Sequence, residues 1–254
     1  MQKIISIVNQ KGGVGKTTTT VNLATALAAI RKKVLIVDLD PQGNASTGLG
    51  YSNHDREDNI YDLVIGESNV GACLKKTKIP NLDIIVSTPD LAAAEMDIVQ
   101  MSDRNFRIKN QFKDLKGYDY VIIDCPPTLG VLTINAMTAS HSILIPMQCE
   151  FYALEGLSQL MKTFNLVKTN LNRDLSVQGI VMTMYDKRNS LSMMVEKDVR
   201  HHFKDKVYTT RIPRNVRISE APSHGLPVML YDVNCKGSQA YLQLAKEFLT
   251  QESK

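Results

Sequence analysis

An apolar run followed at once by a glycine-rich loop is the feature of this sequence that most limits what it can fold into. The run "KIISIV" leads into "NQKGGVGKTTTT", and a helical pattern begins near Lys16. Glycines between a strand and a helix let backbone N–H groups turn inward, where they and the helix N-terminus form a site for phosphate. The sequence therefore predicts a phosphate-binding loop within an α/β fold.

This loop departs from the usual phosphate-loop pattern, G-x-x-x-x-G-K-[ST], at its first position and carries a further lysine. Gln10 stands where the first glycine is expected, and an additional lysine, Lys11, precedes Gly12. Lys16 can still reach the outer phosphates, and the hydroxyl of Thr17 can bind magnesium. The pattern by itself does not explain Lys11.

Strand patterns and helix patterns alternate along the chain. The predicted strands are Lys3–Val8, Lys33–Asp38, Leu82–Ser87, Tyr120–Asp124, Ser142–Pro146, Val177–Met184 and Tyr208–Ile212. The predicted helices are Lys16–Ile30, Leu91–Lys113, Val131–Ala139, Ala153–Asn170, Leu191–Phe203 and Ser238–Gln251. Consecutive apolar positions, as in "VLIVD", are typical of strands that are buried on both faces. We predict a three-layer P-loop NTPase fold, in which a mostly parallel twisted sheet carries helices on both faces.

The length and composition favour a single P-loop ATPase domain over residues 1–254. A chain of 254 residues can bury a substantial core, and no repeat or low-complexity tract divides it. No targeting segment and no run of about 18 apolar residues is evident in the sequence. We therefore expect a cytoplasmic protein that does not interact with a membrane.

Two predicted strands end in carboxylates. "VLIVDLDPQGN" places Asp38 at the end of one strand and Asp40 in the loop after it, and "YVIIDCPP" ends another strand at Asp124. The carboxyl ends of parallel strands lie at one edge of a sheet, beside the phosphate loop. Magnesium and an attacking water need such oxygen groups, so a functional role is favoured over helix or turn capping.

The segment "KGGVGKT", residues 11–17, resembles the K-G-G-x-G-K-[ST] motif of the deviant Walker A ATPases. The resemblance is strongest to the ParA/Soj chromosome-partitioning branch. Three further segments are similar to that branch: "DLDPQGNAST" at 38–47, "IIDCPPTLG" at 122–130 and "IPRNVRISEAPSHGLPVMLYD" at 212–232. Together these segments extend along most of the chain.

The resemblance implies an ATP- and magnesium-dependent hydrolase that acts as a homodimer with nucleotide between its subunits. Lys11 would reach the phosphates bound by the partner, as an arginine finger does in trans, and Gly12 would lie in a tight interface. Asp40 would position or activate the attacking water. Asp124 would hold magnesium through water, and Asp38 would be a supporting carboxylate near the metal or Lys11.

The resemblance also implies which residues bind nucleotide. In the loop and the first helical turn they are Lys11, Gly12, Gly13, Val14, Gly15, Lys16, Thr17 and Thr18. Pro213 and Asn215 would pack around the adenine. Glu150 follows the predicted strand "SILIP" closely, and two interpretations stay open for it: a contact to nucleotide or partner, and an ordinary surface carboxylate.

The net charge of +4 lies in the last part of the chain. Residues 1–184 hold 18 Lys+Arg and 18 Asp+Glu, whereas residues 185–254 hold 12 and 8. This excess indicates either an acidic partner or a solvated surface. The resemblance implies that the ATP-bound dimer binds double-stranded DNA non-specifically, on the nucleoid, and releases it when a ParB-like centromere-binding protein stimulates hydrolysis. The candidate DNA-binding residues are Arg217, Lys187, Arg188, Arg200 and Lys236.

Two other functions of the same superfamily need different features. A MinD-like membrane-associated ATPase needs a basic amphipathic helix at the C-terminus. The last predicted helix has an apolar stripe and a polar face without net positive charge, which favours core packing. The stripe is Tyr241, Leu244, Ala245 and Phe248, and the polar face is Lys246, Glu247, Glu252 and Lys254. An electron-donating iron protein needs paired cysteines, and Cys125 lacks an evident partner, which favours a small buried residue.

Overall fold

The structure is a computed structural model that describes residues 2–252, so Met1, Ser253 and Lys254 lie outside the described part. Its strands are β1 (Lys3–Ile7), β2 (Val34–Asp38), β3 (Leu74–Lys76), β4 (Leu82–Ile85), β5 (Tyr120–Asp124), β6 (Ser142–Gln148), β7 (Ser176–Tyr185) and β8 (Val207–Pro213). The helices of the first half are α1 (Lys16–Ala29), α2 (Asn44–Gly48), α3 (Ile60–Ile65), α4 (Val70–Cys73), α5 (Leu91–Val99) and α6 (Arg107–Gln111). Those of the second half are α7 (Val131–Ala139), α8 (Ala153–Asn170), α9 (Ser190–Phe203), α10 (Val216–Glu220), α11 (Val228–Tyr231) and α12 (Lys236–Glu252).

The eight strands of residues 2–252 form one sheet in the order β3-β4-β2-β5-β1-β6-β7-β8. Every neighbouring pair is parallel except β3 and β4, which are antiparallel at the edge. The predicted mostly parallel α/β sheet is thus confirmed. Strand β1 lies in the middle, between β5 and β6, so the loop after it opens at the centre of the carboxyl edge, where open α/β sheets bind ligands.

Strand residues alternate between two hydrophobic cores, one on each face of the sheet. In β5, Val121 and Ile123 belong to one core, whereas Tyr120 and Ile122 belong to the other. Helices α5 to α9 pack on the first face, and α1, α11 and α12 pack on the second. Because both faces are covered, the strands are apolar at consecutive positions.

The seven predicted strands occur with ends within two residues of the expected positions. Strand β3 was not predicted. The single helix expected over Leu91–Lys113 is wrong, because it is two helices separated by a turn at residues 100–106. In that turn the Asp103 carboxylate accepts hydrogen bonds from Arg107 and Asn110. Such local side-chain bonds favour turns over a continuing helix.

The apolar stripe of α12 is buried in the core, as predicted. Tyr241, Leu244, Ala245 and Phe248 are each at most 4% exposed, and Phe248 packs edge-to-face on Tyr120 at 5.5 Å between ring centroids. Cys125 is also buried, which confirms its interpretation as a small core residue. Within residues 2–252, none of the helices combines the length and apolar character that crossing a membrane requires.

Candidate nucleotide-binding site

The loop between β1 and α1 has the backbone of a phosphate-binding turn. Gly13 and Gly15 have φ angles of 73° and 87°, in the left-handed region that glycine adopts most readily. Gly15 is the N-cap of α1, and Lys16 begins the helix with its side chain buried. The hydroxyl of Thr183, near the end of β7, donates to the Val14 carbonyl at 2.8 Å and ties the loop to the sheet.

A cleft of about 630 Å³ opens directly above this loop. Its polar wall includes predicted site residues: Gly12, Gly13, Gly15, Lys16, Thr17, Thr18 and Asp40. Its apolar wall comes from the opposite end of the chain and includes Ile212, Pro213, Ile218, Leu226 and Val228, with Asn215 beside them. A polar end beside the glycine loop and an apolar end beyond it match the phosphates and the base of a nucleotide.

The strand-end carboxylates Asp38 and Asp124 are neighbours, because β2 and β5 pair in a register that places one opposite the other. Both are fully buried. Thr20 of α1 donates to Asp124 Oδ1 at 3.0 Å. Within residues 2–252, no group donates a hydrogen bond of good geometry to Asp124 Oδ2, although the Thr17 hydroxyl lies near enough to the carboxyl to oppose the rise in its pKa. An orphaned buried carboxylate oxygen next to the first turn of α1 fits a magnesium site, because a hard cation would satisfy it.

Burial and the nearby negative charge of Asp38 raise the pKa of Asp124 above its usual range. Burial also raises the pKa of Asp38, against the opposing effect of hydrogen bonds from Ser46. Two adjacent buried carboxylates cannot both ionise without a compensating cation. The pair therefore favours either a bound proton or a bound metal.

In the protein without nucleotide or metal, we expect the Asp124→Asn variant to gain stability relative to the parent as the pH rises above about 4. Unfolded Asp124 loses its proton near pH 4, whereas the folded carboxyl keeps it to higher pH. The unfolded state then binds fewer protons, so the parent loses at most about 1.4 kcal/mol of unfolding free energy per pH unit. Urea unfolding of both proteins at pH 4 to 8 measures this, and a constant difference would contradict the assigned pKa direction.

Asp38 anchors the loop that carries Asp40. Its Oδ2 accepts hydrogen bonds from the N–H and hydroxyl of Ser46 at 2.8 and 2.7 Å, and its Oδ1 accepts from the Asp40 N–H at 3.3 Å. Asp40 Oδ1 in turn accepts from the Gln42 N–H at 3.0 Å. Asp40 also lines the cleft, where its carboxylate could hold an attacking water.

Arg56 is a residue of this region that the sequence did not single out. Its buried guanidinium donates to the Ser87 carbonyl, the Thr47 hydroxyl and the Tyr51 carbonyl at 2.7–2.9 Å. Gly43, with φ at 60°, lies so close to the guanidinium that a Cβ there would overlap it. Arg56 therefore packs against Gly43 and bonds to Thr47, which stabilises the segment after Asp40. No local sequence motif indicates this role.

Both lysines of the loop have partners inside the chain. Lys16 Nζ donates to the Lys11 carbonyl at 3.2 Å, and Lys11 Nζ donates to Glu150 Oε2. Lys11 therefore pairs with Glu150 and not with Asp38. Burial lowers the pKa of Lys16, and the charges of Asp124 and Asp40 partly offset this effect.

The candidate DNA-binding residues differ in their solvent exposure and in how many partners they already have within the chain. Lys187, Arg188 and Lys236 are exposed, although Arg188 pairs with Asp186 at 2.8 Å. Arg217 is about half exposed and pairs with a neighbouring acid, Glu220, at 2.9 Å. The guanidinium of Arg200 instead donates to Glu196 and to the carbonyls of Val207 and Tyr208. Arg200 thus holds α9 against β8, which leaves it poorly placed for an external phosphate.

The fold and this loop define the class of protein: a P-loop NTPase. A family model described as an AAA domain matches residues 2–177. The chromosome partitioning protein ParA of Caulobacter vibrioides is 54% identical over 98% of this chain and 95% of that protein. The sporulation initiation inhibitor protein Soj of Bacillus subtilis is 55% identical over 97% of this chain and 98% of that protein.

Solved structures agree with this class. Cobyrinic acid a,c-diamide synthase from Mycobacterium smegmatis, with a bound ATP analogue and magnesium, superposes with a TM-score of 0.87 at 33% identity, covering 100% of this chain and 97% of that one. With relatives at 54–55% identity over nearly its full length, this chain belongs to the ParA/Soj family of chromosome-partitioning P-loop ATPases.

Proposed function

We propose that this chain, as a single P-loop domain, binds ATP and magnesium, pairs with a second copy around the nucleotide, and couples hydrolysis to release of DNA. The observation that carries the proposal is the orphaned Asp124 oxygen beside the phosphate loop, in a cleft with one polar and one apolar end. The family membership supports a partitioning role, which we propose takes place on the nucleoid with a ParB-like protein as the stimulating partner.

The residues of one protomer would bind and orient the nucleotide. The N–H groups of the glycine loop and the N-terminus of α1 would hold the phosphates, together with the ammonium of Lys16. Pro213 and Asn215 would enclose the base. Thr17 and Asp124, the latter through water, would hold magnesium, with Asp38 as a more distant support, and the metal would neutralise charge developing on the phosphates.

Asp40 would hold the attacking water in line with the outer phosphate, since its carboxylate lies at the cleft on a loop fixed by Asp38 and Arg56. Lys11 would stabilise the transferring phosphoryl group from the partner protomer. Gly12 supports this arrangement: it is exposed, and a Cβ there would meet no atom within 4 Å in its own protomer. Gly12 also lines the cleft, so any tight fit there would come from the bound nucleotide or from a second chain.

The proposed function is tested by measuring double-stranded DNA binding with ADP, with ATP and with a non-hydrolysable ATP analogue, each at two salt concentrations. We expect tight, salt-sensitive binding with ATP or the analogue and weak binding with ADP, because only the triphosphate would support pairing. Equal binding in all nucleotide states would contradict the proposal. A parallel assay with anionic liposomes covers the MinD-like alternative, for which vesicles would replace DNA as the ligand.

The proposed DNA-binding surface consists of Lys187, Arg188, Arg217 and Lys236. We expect Arg217→Ala to weaken DNA binding by the dimer at all sequences alike and to reduce the slope of log affinity against log salt by about 1.8, or about 0.9 for each of two copies. Arg217→Glu should abolish detectable binding while dimerisation persists. Fluorescence anisotropy with a short duplex measures both.

A matched control is Arg173→Glu. Arg173 is exposed on the turn that precedes β7, at the opposite edge of the sheet from the phosphate loop. This variant should bind DNA nearly as the parent does. If Arg217→Glu and Arg173→Glu lowered the affinity equally, the loss would reflect net charge alone and the proposed surface would be wrong.

A further inference from the structure

The Lys11–Glu150 ion pair joins the phosphate loop to the start of α8. Lys11 is expected to act on a partner, yet its ammonium is bound to a carboxylate of its own chain. The backbone of Lys11 is fixed as well, because its N–H donates to Asn9 Oδ1 at 2.9 Å and its carbonyl accepts from Lys16. Only the side chain of Lys11 is therefore free to change partners.

Glu150 is held where it can make this contact. Its N–H donates to the Gln148 carbonyl, and its own carbonyl accepts from Ala153 at the start of α8, both at 3.0 Å. The Gln10 side chain donates to the Gly156 carbonyl of the same helix at 3.3 Å. The Gln10 contact thus ties the loop to the helix beside the ion pair, so the Glu150 carboxylate remains within reach of Lys11.

We propose that Glu150 holds Lys11 within its own protomer until pairing around nucleotide releases it. Because the contact must break when the dimer forms, it raises the dimer dissociation constant. The inference rests on the proposed function, which makes Lys11 act in trans. Glu150 is then a positioning residue: it acts on the reaction through Lys11. It explains why a lysine placed to contact a partner's phosphates does not bind its own nucleotide first.

The Lys11–Glu150 ion pair is weak enough for a phosphate group to replace Glu150 as the partner of Lys11. The side chains of Lys11 and Glu150 are 40% and 44% exposed, and ion pairs with this exposure are weak. The terminal phosphate group of a nucleoside triphosphate carries more negative charge than the Glu150 carboxylate, so it would replace Glu150 as the partner of the Lys11 ammonium. A dimer must break two such pairs, one in each protomer, so their combined effect on the dimer dissociation constant is about two- to thirtyfold.

The test compares Glu150→Gln with Glu155→Gln, which removes an exposed carboxylate from the first turn of the same helix. Sedimentation velocity with a non-hydrolysable ATP analogue measures the dimer dissociation constant. We expect Glu150→Gln to lower it about two- to thirtyfold at low salt, with a smaller effect at high salt. Basal ATP hydrolysis without a stimulating protein should rise in parallel. Glu155→Gln should leave both unchanged.

A second measurement examines the ion pair without nucleotide or dimer. Lysines labelled with ¹³C-methyl groups give separate NMR signals, and the signal absent from Lys11→Ala identifies Lys11. We expect Glu150→Gln to shift that signal and Glu155→Gln not to. An unshifted signal would overturn the inference, because Glu150 would then not hold Lys11.

The outcomes separate this inference from the proposed function. If the parent dimerises with the analogue but Glu150→Gln dimerises no better, or worse, the inference is wrong and the proposed dimer stands. Worse dimerisation would place Glu150 among the contacts that stabilise the dimer. If the parent does not dimerise with the analogue at all, the proposed function fails, and the role inferred here for Glu150 fails with it.

Discussion

The Lys11→Ala variant is expected to hydrolyse ATP about 10³- to 10⁵-fold more slowly than the parent, while one protomer still binds nucleotide with nearly the parent's affinity. A cation supplied in trans to a transferring phosphoryl group contributes a rate factor of this size, or about 4–7 kcal/mol of the activation barrier. Nucleotide affinity should persist because Lys16 and the glycine loop bind the phosphates within the protomer. Single-turnover hydrolysis and binding of a fluorescent ATP analogue measure the two quantities.

A mixing experiment distinguishes action in trans from action in cis. In a dimer of one Lys11→Ala protomer and one Asp40→Ala protomer, the first protomer keeps its own Asp40 and receives Lys11 from the second. That site is complete and the other is not, so each mixed dimer formed from the two inactive proteins should have up to half of the activity of a parent dimer. If mixing restored nothing although mixed dimers form, Lys11 would act on its own nucleotide. Mixing Lys11→Ala with Lys16→Ala at equal concentration should restore less, because Lys16→Ala is expected not to bind nucleotide.

The Asp40→Ala variant is expected to lose about 10²- to 10⁴-fold in hydrolysis and to accumulate as an ATP-bound dimer on DNA. Removing a group that positions or deprotonates water lowers the rate by this amount, whereas the phosphate loop and Lys11 remain intact. Dimerisation and DNA retention with ATP should therefore match those of the parent with a non-hydrolysable analogue. Sedimentation and DNA-binding measurements with ATP, repeated over an hour, give the comparison.

The control for Asp40 is Asp40→Asn. Its amide oxygen can still accept the hydrogen bond from the Gln42 N–H, so the loop should keep its shape. Both variants should trap the dimer. A trapped dimer with Asn and a monomer with Ala would mean that Asp40 acts by holding the loop, and a monomer with both would contradict its assignment to the attacking water.

The strand ends and the glycine loop could be predicted from the sequence because their signals are local. Consecutive apolar positions in "YVIID" indicate a strand buried on both faces, and a glycine run after such a strand indicates a phosphate loop. The boundaries of β5, α7 and α8 agree with the predictions for the same reason. The break after α5 was missed because it depends on hydrogen bonds from Arg107 and Asn110 of α6 to the carboxylate of Asp103 in the preceding turn.

The sequence by itself determined the class of fold, the phosphate loop and the carboxylates at the strand ends, because each of these features depends on residues that are neighbours in the sequence. The tertiary structure alone decided which distant groups meet: Asp38 with Asp124 through strand order, Arg56 behind the Asp40 loop, and Lys11 with Glu150 across 139 positions of chain. It also showed that Arg200 connects α9 to β8 by hydrogen bonds. Hydrophobic periodicity in the sequence indicates which side of a helix or strand is buried. The contacts between distant residues depend instead on how the helices and strands are arranged around the sheet.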